Sequence, residues 1–359
     1  MEATIDLKEF KKAIETIKPY LPKRSFLPIL NNAFAEIHNN ELTLTCYTLS
    51  RLIQVTTPIA HGIDGTCLIP VKEVSDIIKA IKQQGNIQIL SKDRTIDLTV
   101  TGVTFALSTM AVDDYPLIPG INVFGGYVVE SKQFIQAKNF VVEASGSGKF
   151  HDKILFDFAE DKLTLVGTDG NRLHAYTLLH DIAPSKQYVI PVEDFAKVNP
   201  IDQTIEFDFD AEKFYWSSGN CKGSIYLSDS TWPTWRSVIP NPCKDDCIIT
   251  FNGKDAYGWI KSIASLCNDM YQTLLFSLTK DTITFSNYVD EIPSLITMSC
   301  SVKHPLKSRY GVNVDYLLYL MKTFSHKLDI RIRDNLYPIV VEHDDYLAVI
   351  MPIQVKDGD

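Results

Sequence analysis

The chain repeats itself at domain scale. The segment Glu41-Leu42-Thr43-Leu44-Thr45 recurs as Lys162-Leu163-Thr164-Leu165-Val166 and again as Thr282-Ile283-Thr284-Phe285-Ser286, with steps of 121 and 120 residues from Leu42 to Leu163 to Ile283. Each copy alternates apolar and polar side chains, the two-residue period of a half-buried strand. A segment with helical spacing precedes each copy, at 7–20, 131–144 and 253–266, and Lys8, Lys132 and Lys254 hold matching places near the starts. A second set of helical segments opens at Ile69-Pro70-Val71, Ile190-Pro191-Val192 and Gly311-Val312-Asn313-Val314. Proline suits a first helical turn because its missing N–H would have no partner there. Each repeat is therefore itself double, with two helices and several strands. A repeat of roughly 120 residues is too long for a solenoid unit, so three similar domains are expected. Pro-rich segments, Tyr115-Pro116-Leu117-Ile118-Pro119 and Trp232-Pro233 through Val238-Ile239-Pro240, close the first two copies and read as stiff connectors. The expected division is 1–122, 123–243 and 244–359.

Composition removes several classes. With 45% hydrophobic and 22% charged residues, the chain can bury cores and does not read as disordered. No apolar run approaches the ~18 residues of a membrane span. The start, Met1-Glu2-Ala3-Thr4-Ile5-Asp6, is acidic and unlike a signal peptide, so a soluble cytoplasmic protein without a membrane partner is expected. Seven cysteines, an odd number, then read as reduced thiols. Cys243 and Cys247 form a C-x₃-C with no second pair at zinc-site spacing, so no metal site is expected.

Charge is unevenly distributed. The six helical segments, 7–20, 71–84, 131–144, 192–199, 253–266 and 314–327, hold 14 Lys and no Arg against 9 acidic residues. They carry +5 within a chain of −9, leaving −14 for the rest. On the first, Leu7, Phe10, Ile14 and Ile17 share one side, with Lys8, Lys11, Lys12 and Lys18 mostly opposite. On the second, Val74, Ile77, Ile78 and Ile81 oppose Lys72, Lys79 and Lys82. For any single helix a solvated face explains this pattern. Over all six it points to a helix-lined surface facing a polyanion, with a sequence-independent, salt-sensitive attraction to phosphates. No base-reading cluster accompanies the lysines.

Four motifs, in order along nearly the whole chain, resemble bacterial DNA polymerase III β subunits, the replicative sliding clamps. They are Arg24-Ser25-Phe26-Leu27-Pro28-Ile29-Leu30-Asn31-Asn32, Thr168-Asp169-Gly170-Asn171-Arg172-Leu173, Trp232-Pro233 through Ile239-Pro240, and Val349-Ile350-Met351-Pro352-Ile353. The resemblance implies an α+β clamp fold of three similar domains, each with two helices on an inner face and antiparallel sheets outside. Two chains would join head-to-tail as a homodimeric ring around double-stranded DNA and tether the polymerase as a processivity factor. Neither enzymatic chemistry nor a cofactor is implied, since a clamp loader supplies the ATP-driven opening.

The resemblance also implies sites. A partner-peptide cleft for polymerase and clamp loader maps onto Thr168, Gly170, Arg172, Leu173, Pro233, Val238, Val349, Met351, Pro352 and Ile353. Read from the residues alone, Asp169-Gly170 is a tight turn, and a buried strand over 349–355 is the alternative for the C-terminal part. DNA contacts map onto Arg24 and Lys149 in loops, with Lys8, Lys12 and Lys72 on the helices. The Gly-rich stretch before Lys149 is no phosphate loop, because Glu143 stands at the first Gly position of G-x₄-G-K-[ST] and Phe150 at the Ser/Thr. Ring contacts map onto Phe105, Leu107 and Leu266, with core burial the alternative for Leu266. Ser237 and Val192-Glu193 depart from basic residues frequent in the family. Two rival functions follow: a clamp-like interaction module that does not encircle DNA, and an enzyme built on Asp169, Arg172 and His174. The second lacks a nucleophile.

Overall fold

The computed structural model describes residues 1–22, 26–121, 125–148, 151–182, 186–267, 270, 272–287 and 293–354. Arg24 and Lys149 lie outside the described residues. The chain forms two compact units, Met1–Gln136 with Ile190–Ser228 and Ala137–Val189 with Asp229–Asp359. Its α-helices among the described residues are α1 (Leu7–Ile17), α2 (Val71–Ala80), α3 (Ser131–Glu143), α4 (Val192–Phe195), α5 (Gly253–Ala264) and α6 (Val314–Thr323). The strands pair antiparallel, and all three repeated segments are strands: Glu41–Tyr47, Lys162–Thr168 and Thr282–Asn287.

In the first unit a five-stranded sheet runs His61–Ile63, Glu2–Asp6, Asn86–Ser91, Thr95–Val100 and Val103–Ser108, the last at an edge. An eight-stranded sheet brings Cys221–Tyr226 from the second repeat beside Arg51–Pro58 from the first, with Gly223 opposite Ile53. Hydrogen-bonded strands thus join the copies, beyond the Pro-rich connectors. A Cβ on Gly223 would lie 2.6 Å from the Trp216 indole nitrogen and 2.8 Å from the Leu52 carbonyl, so this pairing needs glycine.

Local chemistry sets the helix starts. The Asp6 carboxylate accepts from the N–H groups of Lys8 and Glu9 at 2.9 and 3.1 Å, capping α1, which buries Leu7, Phe10, Ala13, Ile14 and Ile17. Pro70 and Pro191 occupy the capping position itself, one residue before the expected first turn. Lys8, Lys12 and Lys72 are exposed, as a solvent-facing basic side requires. Lys138 on α3 breaks the pattern: it is buried, and burial pushes its ammonium down to about 8.

The helix expected over 192–199 is a single turn. Pro200 disfavours helical geometry at Asn199. Asp194 faces inward to a buried ion pair with Arg51, whose Nε and Nη2 also donate to the Tyr20 carbonyl at 3.3 and 3.2 Å.

In the second unit a nine-stranded sheet places Arg172–His180 between Lys162–Thr168 and the last strand, Tyr346–Ile350. Leu173 faces Thr168 on one side and Val349 on the other. A four-stranded sheet runs Leu295–Ser299, Thr282–Asn287, Thr273–Leu278 and Tyr310–Asn313. Asn252 and Asn313 cap α5 and α6 through their side-chain oxygens.

Candidate peptide-binding cleft

The cleft begins at the turn after Thr168. Gly170 takes φ +91, a conformation that disfavours other residues, and a Cβ there would come 3.0 Å from the His151 ring. The Asp169 carboxylate holds the turn by accepting from the N–H groups of Asn171 and Arg172, both at 2.9 Å. The Thr168 hydroxyl donates to the Arg172 carbonyl at 2.6 Å and accepts from the Gly170 N–H at 3.1 Å.

Arg172 spends its charge inside this rim. Its Nε donates to Asp169 at 3.0 Å, its Nη2 donates to the Glu143 carbonyl, and its guanidinium lies 4.2 Å from the Tyr316 ring centre. The Tyr316 hydroxyl donates to the same Asp169 carboxylate at 3.1 Å. Burial, reinforced by Asp169, holds that phenol above its ordinary pKa. Arg172 is therefore a strut of the rim more than a free cation.

Two further segments complete the site. The helical turn Trp235–Val238 supplies one wall, and the last strand supplies another, with the Met351 N–H donating to the Asn171 carbonyl at 2.8 Å. Together they enclose a cavity of about 300 Å³. Thr168, Gly170, Arg172, Leu173, Pro233, Val238, Val349 and Met351 all line it. Leu173 and Val349 belong to a buried cluster with Leu155, Val166, Trp232 and Trp235, so they form a floor. Val238 and Met351, 49% and 46% exposed, form the lip. Leu173 is 6% exposed, because strands pair on both its sides.

Pro352 and Ile353 do not line the cavity. The Ile353 N–H donates instead to the Gly311 carbonyl at 2.9 Å, which turns the chain aside. Conversely, His151, Asn171, Trp232 and Trp235 line the cavity without having been singled out as site residues. The Trp232-Pro233 motif was the signal available for the tryptophans.

The candidate catalytic group Asp169, Arg172 and His174 is not an open constellation. His174 is fully buried, its Nδ1 bonded to the Phe140 carbonyl at 2.8 Å and its ring stacked on Phe140 at 4.3 Å. Burial pushes its pKa down to about 4, against the opposing pull of that carbonyl. Cys243 is exposed and Cys247 buried, both as free thiols.

Comparison with known proteins places the chain among similar folds. Residues 1–119 match the family of the DNA polymerase III beta subunit, N-terminal domain. The beta sliding clamp of Chlamydia pneumoniae is 22% identical over 369 residues, spanning 99% of this chain and 100% of the relative. That of Staphylococcus aureus is 26% identical over 258 residues, spanning 67% and 68%. The crystal structure of the DNA polymerase III subunit beta from Pseudomonas aeruginosa superposes with a TM-score of 0.88 at 18% identity, covering 99% of this chain and 100% of that one. The Thermotoga maritima subunit gives 0.87 at 16%, with the same coverage. The fold is the β-clamp fold.

The resemblance carried by the four motifs is borne out. A second Pseudomonas aeruginosa clamp, with a TM-score of 0.90 at 18% identity over 99% of this chain and 100% of that one, was solved bound to griselimycin. Of the residues that the clamp resemblance assigns to ring contacts, Phe105 and Leu107 are half-buried on the edge strand of the five-stranded sheet. Leu266, just past α5, is 43% exposed, which removes the core-burial alternative. The four-stranded sheet likewise ends in an edge strand, Leu295–Ser299. No helix among the described residues is long and apolar enough to cross a membrane.

Proposed function

We propose that this chain is a processivity factor of DNA replication, a sliding clamp that encircles duplex DNA and tethers polymerase and clamp loader through the cleft. It acts without chemistry of its own, in the cytoplasm, as a homodimer of three-domain chains divided at 1–122, 123–243 and 244–359. One observation carries the reading: in a chain with the clamp fold over 99% of its length, segments far apart in sequence converge on one largely apolar cavity with the Met351 thioether at its lip. Such a groove accepts hydrophobic peptide anchors. Edge strands at Val103–Ser108 and Leu295–Ser299 offer unpaired backbone groups for head-to-tail joining. Exposed Lys8, Lys12 and Lys72, with Arg24 and Lys149, supply weak attraction to the backbone.

A second reading is a clamp-like interaction module that does not encircle DNA. It draws on Glu193 being exposed on α4 and Ser237 on the cavity wall, where the family often has basic residues. Loading onto closed circular duplex separates the two. The ring reading expects retention that is lost on linearisation, and short-duplex binding that falls with salt and with Lys8, Lys12 and Lys72 changed to Ala. Equal loss from closed and linear DNA would refute encirclement.

A further inference from the structure

We propose that Asp157 is the positioning residue of the cleft: its buried carboxylate holds the turn Trp235–Val238 in place and so sets the affinity for the peptide partner. The proposal rests on the cleft reading above and concerns a residue that does not itself line the cavity.

Asp157 lies on the strand Lys153–Ala159, opposite Thr164 and between Phe156 and Phe158. Its side chain is 2% exposed. A carboxylate so placed must be fully paired to be tolerated. Its Oδ1 accepts from the Gln187 amide at 3.0 Å. Its Oδ2 accepts from the Trp235 indole N–H at 2.8 Å and from the Arg236 guanidinium. That guanidinium also lies 4.3 Å from the Trp235 ring centre. The indole is thereby held at its edge by the carboxylate and on its face by the carboxylate's own counter-ion.

The turn needs such an anchor. It is a four-residue 3₁₀ segment, and no side chain caps its start at Thr234. Short 3₁₀ pieces have strained hydrogen bonds and little stability of their own. Yet Trp235, Ser237 and Val238 all line the cavity, and Val238 is half-exposed at its lip. Asp157 fixes this wall from a core strand through a charge-assisted bond, the stronger class of hydrogen bond. Losing the bond would loosen the lip without removing any apolar surface from the groove.

The test uses the full chain and a short peptide carrying Gln, Leu and Phe anchors, with binding followed by calorimetry and dissociation kinetics. Two variants remove the anchor from opposite sides: Trp235→Phe deletes the indole N–H together with part of the ring that carries it, and Asp157→Asn deletes the charge while leaving the cavity lining untouched. Each should weaken the peptide about tenfold, mainly through faster dissociation, as expected for loss of a hydrogen bond to a charged group. Adding Arg236→Gln to Asp157→Asn should cause little further loss, because the pair acts as one unit. The sedimentation mass should stay at the wild-type value, which a general structural defect would not leave intact. Met351→Ala serves as the control for the cleft itself. If Met351→Ala weakens the peptide while folded Trp235→Phe and Asp157→Asn bind like wild type, the positioning role is overturned. If Met351→Ala also binds like wild type, the cleft reading falls. Should Asp157→Asn fail to fold, Trp235→Phe decides alone, and wild-type affinity in that variant overturns the proposal.

Discussion

Truncating Met351 to Ala separates a binding lip from a hydrophobic core. The side chain is 46% exposed, so roughly half of it is available for a docking peptide to cover. Burying a whole methionine side chain contributes about 1.5–3 kcal/mol, so covering the exposed 46% contributes about 0.7–1.4 kcal/mol. Peptide affinity should therefore fall about three- to tenfold. The fold should barely respond, because the backbone bond from Met351 to the Asn171 carbonyl does not involve the side chain. Leu173→Ala is the contrast: at 6% exposure it should cost about 2–5 kcal/mol of stability, the range for a cavity-forming core change. Titration calorimetry with the anchored peptide, beside thermal melts of both variants, reads the two effects separately. Unchanged affinity in Met351→Ala, or a loss of melting temperature as large as that of Leu173→Ala, would refute the assignment of Met351 to the lip.

Two more outcomes follow. Phe105→Asp puts a charge on an edge strand that should meet a second chain, so sedimentation should shift from about twice 40.5 kDa to one chain; a wild-type monomer at micromolar concentration would sink the ring. Burial pushes His174 to about 4, below its unfolded value of about 6.5, so the unfolded chain takes up the proton first as pH falls. Its contribution is complete above that unfolded value and is lost on descent towards about 4, some 3 kcal/mol in all. Urea unfolding at pH 7 and pH 5 should show this slope in wild type and a flatter one in His174→Phe; identical slopes would contradict it.

The sequence alone determined what depends on neighbours along the chain. Alternation in 41–45, 162–166 and 282–286 sufficed for three strands, since side-chain period is a local property. The starts of α1, α5 and α6 follow from Asp6, Asn252 and Asn313 reaching their own next two or three N–H groups. The cleft was legible as short motifs, because each of its walls is one continuous segment.

Only the tertiary structure decided which of those segments meet, and how deeply. Strand edges are chemically alike, so nothing local says that Cys221–Tyr226 pairs with Arg51–Pro58, or that Val349 faces Leu173. That second pairing is what turns Leu173 into floor and leaves Met351 at the lip. Lys138 follows a helical pattern like its exposed counterparts, yet it is buried, because burial depends on what packs over a face and not on the face itself. Asp157 reads as one polar residue within an apolar strand, and its partners Gln187, Trp235 and Arg236 lie 30, 78 and 79 residues away. A charge inside a core is stable only when its partners arrive from elsewhere, and that arrival is a property of the folded chain.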